Sequence, residues 1–230
     1  MMQRLAVFAL AGLFLTPVCG QPKPPDKQLW VDMAYSASPS DRLKVAGEIG
    51  GRASMSGEDW RVVYLRPSVL FTLNSRFAIQ GGVGFFQSFR LIDQLEIRPW
   101  QGLLVRWPKV GRVSFQNLVR LEERLLRSRF LEKAIVIWRL RYKLSATIPL
   151  NSTKVQEGTI YVPAYVELFT DLGGNIPKPS ANRLRLSAGI GYKMPRDWAV
   201  EFSYIHQQAR GGPLEEFLMG DHVFRIQFKH

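Results

Sequence analysis

The residues in this sequence with chemistry to offer are arginines and glutamates set two apart. Glu96 and Arg98, then Arg120, Glu122 and Arg124, then Arg139, Arg141 and Lys143, then Glu167, Arg183 and Arg185 occupy alternate positions of their segments. On an extended chain alternate side chains point the same way, and adjacent strands lie about 5 Å apart. These groups can therefore meet as a ladder of salt bridges across neighbouring strands. Two outcomes fit that ladder. Carboxylates can neutralise guanidinium groups inside an enclosed wall, where a buried charge needs its partner. Alternatively, the excess of Arg and Lys can draw anions through a channel, as rings of such residues do in pores. We expect the first, a lumenal charge network with a structural role, because a narrow barrel fills its interior with side chains.

The elements that must hold such a ladder are strands, and alternation with a period of two recurs along the chain. Leu43, Val45, Ile49 and Ala53 oppose Lys44, Glu48 and Arg52. Phe77, Ile79, Val83, Phe85 and Phe89 oppose Arg76, Gln80, Gly82, Gly84, Ser88 and Arg90. The last stretch sets Phe224, Ile226 and Phe228 against Arg225, Gln227 and Lys229. Strand candidates fall near 29–36, 42–53, 60–73, 76–90, 94–107, 112–126, 134–150, 159–170, 183–193, 197–209 and 222–229. Short turns at 73–76, 108–111, 151–158 and 194–197 alternate with longer connections.

The segments are longer than the five or six residues usual in soluble sheets. Alternating short turns and long loops is the pattern of an outer-membrane barrel, apolar outside and polar within. Trp60, Trp107, Trp138 and Trp198 lie near strand ends, as an interfacial girdle requires. The expected fold is therefore all-β: an antiparallel up-and-down transmembrane barrel of the outer-membrane type. It would have ten strands counted from residue 42, because bacterial single-chain barrels close on an even number. The segment 29–36 would be an extra element near the lumen, or one of a pair in a twelve-stranded barrel.

The N-terminus agrees with export. MMQR is a basic start, LAVFALAGLFL an apolar run and TPVCG a small-residue cleavage site, so residues 1–20 read as a signal peptide cut after Gly20. The apolar run is too short for a spanning helix, which needs about 20 residues. Residues 21–28 read as a Pro- and Lys-rich linker and 29–230 as the barrel. Cleavage removes the one cysteine, so the mature chain carries no disulfide. The chain has 230 residues, 46% of them apolar, and a net charge of +12. That charge calls for anionic partners. Outside the cytoplasm these are outer-membrane lipid and lipopolysaccharide and not nucleic acid, with the outer-membrane assembly machinery as a transient partner. A monomer is expected.

Several stretches carry a further likeness. LEIRPWQ at 95–101, RLEERL at 120–125, WRLRYKL at 138–144, PAYVELFTDLG at 163–173 and NRLRLSAGIGYKM at 182–194 resemble, in order and spacing, the bacterial family called domain of unknown function 2490. The resemblance spans roughly residues 28 to 230. Leu125, where an aromatic would follow Glu-x-Arg, and the terminal Phe228-Lys229-His230 depart from the pattern. The family is described as an outer-membrane β-barrel, so the resemblance implies that fold and location and no particular activity.

Some outer-membrane barrels are lipid hydrolases or acyltransferases, which makes a lipid-modifying enzyme the alternative of a different class. Such chemistry needs a nucleophile, a base and an orienting group in hydrogen-bond reach. In FSYIHQQ, Ser203 and Glu201 share a face but His206 has the opposite parity, and only a bulge would re-aim it. We expect no catalytic residues and no enzymatic activity. No metal site is expected either, since the histidines are not closely paired in sequence and Asp221 and His222 point to opposite faces. GGVG at 81–84 and GIG at 189–191 lack the strand-to-helix setting of a phosphate loop, so no cofactor is expected. Glu123 alone resists the pattern, sharing the apolar face of Val119, Leu121 and Leu125. A charge on the lipid side is tolerated near the headgroups, so Glu123 should lie near the outer loop beside Arg127.

Overall fold

The fold is that of a computed structural model describing residues 25–57, 60–89, 93–128, 135–172, 182–210 and 220–230. Residues 1–20, expected to be a signal peptide, lie outside the described residues, as do 21–24 of the expected linker, whose last two residues belong to β1. Twelve strand segments follow one another: β1 (Lys27–Ala37), β2 (Leu43–Ser54), β3 (Arg61–Leu65), β4 (Ser68–Thr72), β5 (Phe77–Phe89), β6 (Gln94–Arg106), β7 (Ser114–Ser128), β8 (Ile135–Pro149), β9 (Ile160–Leu172), β10 (Asn182–Lys193), β11 (Ala199–Arg210) and β12 (Asp221–Lys229). Among the described residues there is no helix, and none long and apolar enough to cross a membrane.

β3 and β4 are one strand of the wall. Both pair with β2 and β5, and the register is the same on either side of the break. The break falls at Pro67, which has no N–H to give the ladder, while its carbonyl still accepts from Val83 at 3.1 Å. The result is a closed all-β barrel of eleven strands, not the ten counted from sequence or the twelve held as an alternative. Nor is it antiparallel throughout. Neighbours in sequence pair antiparallel, but with an odd number of strands the first and last run the same way, and β1 closes the wall against β12 in parallel register from Lys27 opposite His222 to Ala34 opposite Lys229. β1 is thus a full strand of the wall, paired with β2 on its other side. It starts two residues before the expected boundary because Gln28 already faces inward.

The odd number sends the two ends of the barrel chain to opposite rims. Lys27 lies at the rim of connections 55–60, 90–93, 129–134, 173–181 and 211–220, the long-loop rim. Lys229 lies at the rim of 38–42, 73–76, 107–113, 150–159 and 194–198, the short-turn rim, although connections of four to ten residues occur at both. One short turn is set by Arg196 and Asp197, both with positive φ (57° and 62°), the twist that joins right-handed strands in a tight hairpin.

Parity sorts the side chains as the alternation requires. Val63, Leu65, Val69 and Phe71 face outward from β3 and β4, as do Phe77, Ile79, Phe85 and Phe89 from β5, and all remain exposed. Tyr64, Ala78 and Phe86 point inward and are buried. One apolar cluster of the interior is formed by Trp30, Ile205 and Val223 with Tyr165 packed against it. Glu123 faces outward, opposite Trp138, with Arg127 closer to the long-loop rim. Trp107 and Trp138 are exposed, and Trp198 meets His230 edge-on at the short-turn rim. Trp60 departs from the girdle expected of it: its indole N–H donates to the buried carboxylate of Asp26 at 3.1 Å.

Candidate functional site: the charged lumen

The inward faces of β6 to β10 bring most of the expected charges into one network. Glu122 is its hub, 1% exposed. Arg139 donates to it through Nε at 3.0 Å and Nη2 at 2.5 Å, Arg141 donates through Nη1, and Arg120 and Arg98 stand at 3.7 and 3.8 Å. Glu96 takes Arg98 through Nε and Nη2 at 2.9 and 2.7 Å. Its two oxygens also accept the fork of Arg124 at 2.7 and 3.0 Å. Arg141 joins two carboxylates, reaching Glu167 through Nε at 3.2 Å and Nη2 at 2.5 Å. Arg185 lies 3.6 Å from Glu167 and donates to Gln207 at 2.7 Å.

Two expected members stand apart from these ion pairs. Lys143 is in register with Glu167 but rests its ammonium over the Tyr165 ring at 3.9 Å. Arg183 is in register with Phe169, and its Nε is buried without an acceptor.

Flat guanidinium groups pack on aromatic faces as well as on carboxylates. Arg98 lies 4.1 Å from the centre of the Phe86 ring, Arg120 3.8 Å from that of Trp100, and Arg141 and Arg185 both 4.6 Å from that of Phe169. This layering fills space that charge pairing alone would leave open. A buried pair broken on one side costs about 3–5 kcal/mol, because the survivor keeps its desolvation penalty. A hub with four cationic neighbours concentrates that risk in one side chain.

A second group of charges closes the network across the parallel seam. Asp32 of β1 takes Arg225 of β12. Arg225 reaches Glu48 of β2 at 3.2 Å, and Glu48 also holds Arg66 and accepts the Tyr64 hydroxyl at 2.9 Å. Glu201 binds Lys229 at 2.6 Å and accepts from Tyr161 at 2.8 Å. The alternation had shown Glu48, Arg225 and Lys229 to lie on polar faces, but not their partners. Asp32 escapes the sequence reading because the even count leaves its strand an extra element near the lumen or one of a pair in a twelve-stranded wall.

The side chains that a hydrolytic site would need do not converge. Ser203 and Glu201 face the lumen, whereas His206 points outward, across from His222 with ring centroids 5.5 Å apart. Tyr204 lies on that outer face too, its hydroxyl 2.6 Å from Nδ1 of His222.

An all-β closed barrel with ion-paired charges inside and apolar side chains outside defines the class. Within it, the chain belongs to the family described as Protein of unknown function (DUF2490), whose profile matches residues 27–213. No curated protein and no solved structure matches the chain.

Proposed function

We propose that this protein is a non-enzymatic barrel of the outer membrane of a Gram-negative bacterium, with a lumen stopped by its Arg/Glu network. One observation carries the reading: the wall is inverted relative to a water-soluble barrel. Strand after strand leaves large apolar side chains exposed on the outside, among them Ile49 at 58%, Phe202 at 53% and Ile190 at 52%, while Glu122 and Glu167 are buried inside at 1% and 3%. Monomeric soluble proteins rarely expose apolar patches beyond a few hundred Å². Strands of thirteen residues such as β5, at about 3.3 Å per residue and a tilt of about 40°, rise roughly 33 Å. That covers an apolar band of about 25 Å.

Lipid is then the partner of the outer face, with lipopolysaccharide around the longer connections and the assembly machinery met in passing. A closed wall leaves no unpaired strand edge, which supports a monomer. His206, on the outside, cannot serve Ser203 or Glu201, which supports a barrel without catalysis. The stopped lumen is favoured over an anion-selective pore because Glu96, Glu122 and Glu167 are each held by guanidinium groups that would otherwise line a passage. Cell fractionation tests the location. The protein should partition with the outer membrane and migrate differently on gels before and after heating. Soluble periplasmic material without that shift would contradict the reading.

A further inference from the structure

The lumen is not completely filled by side chains. Towards the short-turn rim a cavity of about 900 Å³ remains, at the upper end of the range of small-molecule sites. Arg120, at the edge of the ion-paired network, belongs to its lining. Arg66, Trp100 and Arg120 line its inner part, and Lys44, Lys193 and Lys229 line it nearer the rim. The lining carboxylates are Glu48, Glu201 and Asp197.

Those carboxylates are engaged. Glu48 holds Arg66 and Arg225, Glu201 holds Lys229 and Asp197 holds Lys193 at 3.2 Å. The donors are not all satisfied. Arg120 has only a 3.7 Å approach to Glu122, a carboxylate already bound by Arg139 and Arg141, and its Nε is buried without an acceptor. The indole N–H of Trp100, under the Arg120 guanidinium, is buried without an acceptor as well. Lys44 has no carboxylate within ion-pair distance among the described residues. A concave site lined by an under-paired guanidinium and an unpaired ammonium offers an anion what the protein's own carboxylates do not take up.

We propose that this cup is a binding site for a small soluble oxyanion, a molecule bearing carboxylate or phosphate, that enters from the short-turn rim and seats against Arg120 and Trp100 with Lys44 at the mouth. The site depends on the geometry of the barrel and not on where the barrel resides, so it can fail while the outer-membrane reading stands.

The test is calorimetric titration of the refolded full chain in zwitterionic detergent with citrate and with inorganic phosphate, and with spermidine as the cationic control. Heat-shifted gel mobility establishes folding for each protein used. Saturable binding of either anion is expected, without binding of spermidine. Arg120→Gln removes a charge-assisted donor and should weaken binding about tenfold. Lys44→Gln, at an exposed position, should weaken it about threefold. Absence of saturable heat for both anions up to roughly 10 mM, a ceiling of a few kcal/mol, would overturn the proposal. So would equal binding of spermidine, or an affinity unchanged in folded Lys44→Gln and Arg120→Gln. Should Arg120→Gln not fold, Lys44→Gln alone decides, and unchanged affinity there counts against the site.

Discussion

The long-loop half and the short-turn half of the lumen are lined by the same kinds of residue and behave differently. In the first, Glu96, Glu122 and Glu167 each take at least two cations, and the guanidinium groups are layered on Phe86 and Phe169. In the second, Glu201 and Asp197 each take one lysine, only Glu48 takes two arginines, and a cavity remains. Acids with several cations around them draw arginines from separate strands into one cross-link, whereas acids with one lysine leave room between them. Side-chain geometry adds to the difference. Arginine offers a planar fork that bridges two carboxylates, as Arg141 does, while lysine offers a point charge on a flexible stem.

The comparison breaks most sharply at Glu122. Glu122→Gln leaves Arg98, Arg120, Arg139 and Arg141 without their shared charge, and should lower folding stability by about 3–5 kcal/mol. This is read as a fall in the urea midpoint of the heat-shifted form. A loss near zero would mean that the long-loop half is not cross-linked through this residue.

The inside-to-outside contrast is next in size. Val166 faces outward between Leu144 and Leu186 on the adjacent strands. In lipid vesicles Val166→Arg should cost about 2–4 kcal/mol if that wall meets lipid, against about 0.5 kcal/mol for an exposed surface in water. Unfolding titrations in vesicles separate the two.

In the short-turn half, Glu201→Gln should cost only about 1 kcal/mol, because its partner Lys229 is 40% exposed and an exposed pair is screened. The ratio between the Glu122 and Glu201 variants measures how unlike the halves are. Equal losses would erase the distinction.

The two rims can be told apart without changing stability. Lys27 lies at one and Asp197 at the other, both exposed. In intact cells a membrane-impermeant maleimide should label Lys27→Cys and spare Asp197→Cys. The reverse pattern would turn the barrel over.

Much of this architecture was legible in the sequence, because a barrel wall with unlike faces writes its period into every strand. All eleven candidate segments fall on the observed strands to within a few residues. The rule of an even count leaves β1 outside a ten-stranded wall or demands a twelfth strand, although LWVDMAYS alternates as its neighbours do. No local signal fixes the pairing of β1 with β12, whose partners are almost two hundred residues apart. With β1 misplaced, Asp32 had no lumen to face and the Asp32–Arg225–Glu48 connection could not be foreseen. Within the network, parity gave the direction of each side chain but not its partner. Lys143 stands opposite Glu167 and still turns to Tyr165, and Arg141, one rung away, takes that carboxylate instead. Trp60 differs from its expected place for a similar reason: nearness to a strand end does not say which side of the wall an indole faces.

The central claim is a lumen stopped by ion pairs inside a lipid-facing wall, and planar-bilayer recording tests it most directly. Protein that has inserted, and that shows heat-shifted mobility when recovered from the same vesicles, should pass no steady current. A steady, anion-selective conductance from the unmodified protein would contradict the account.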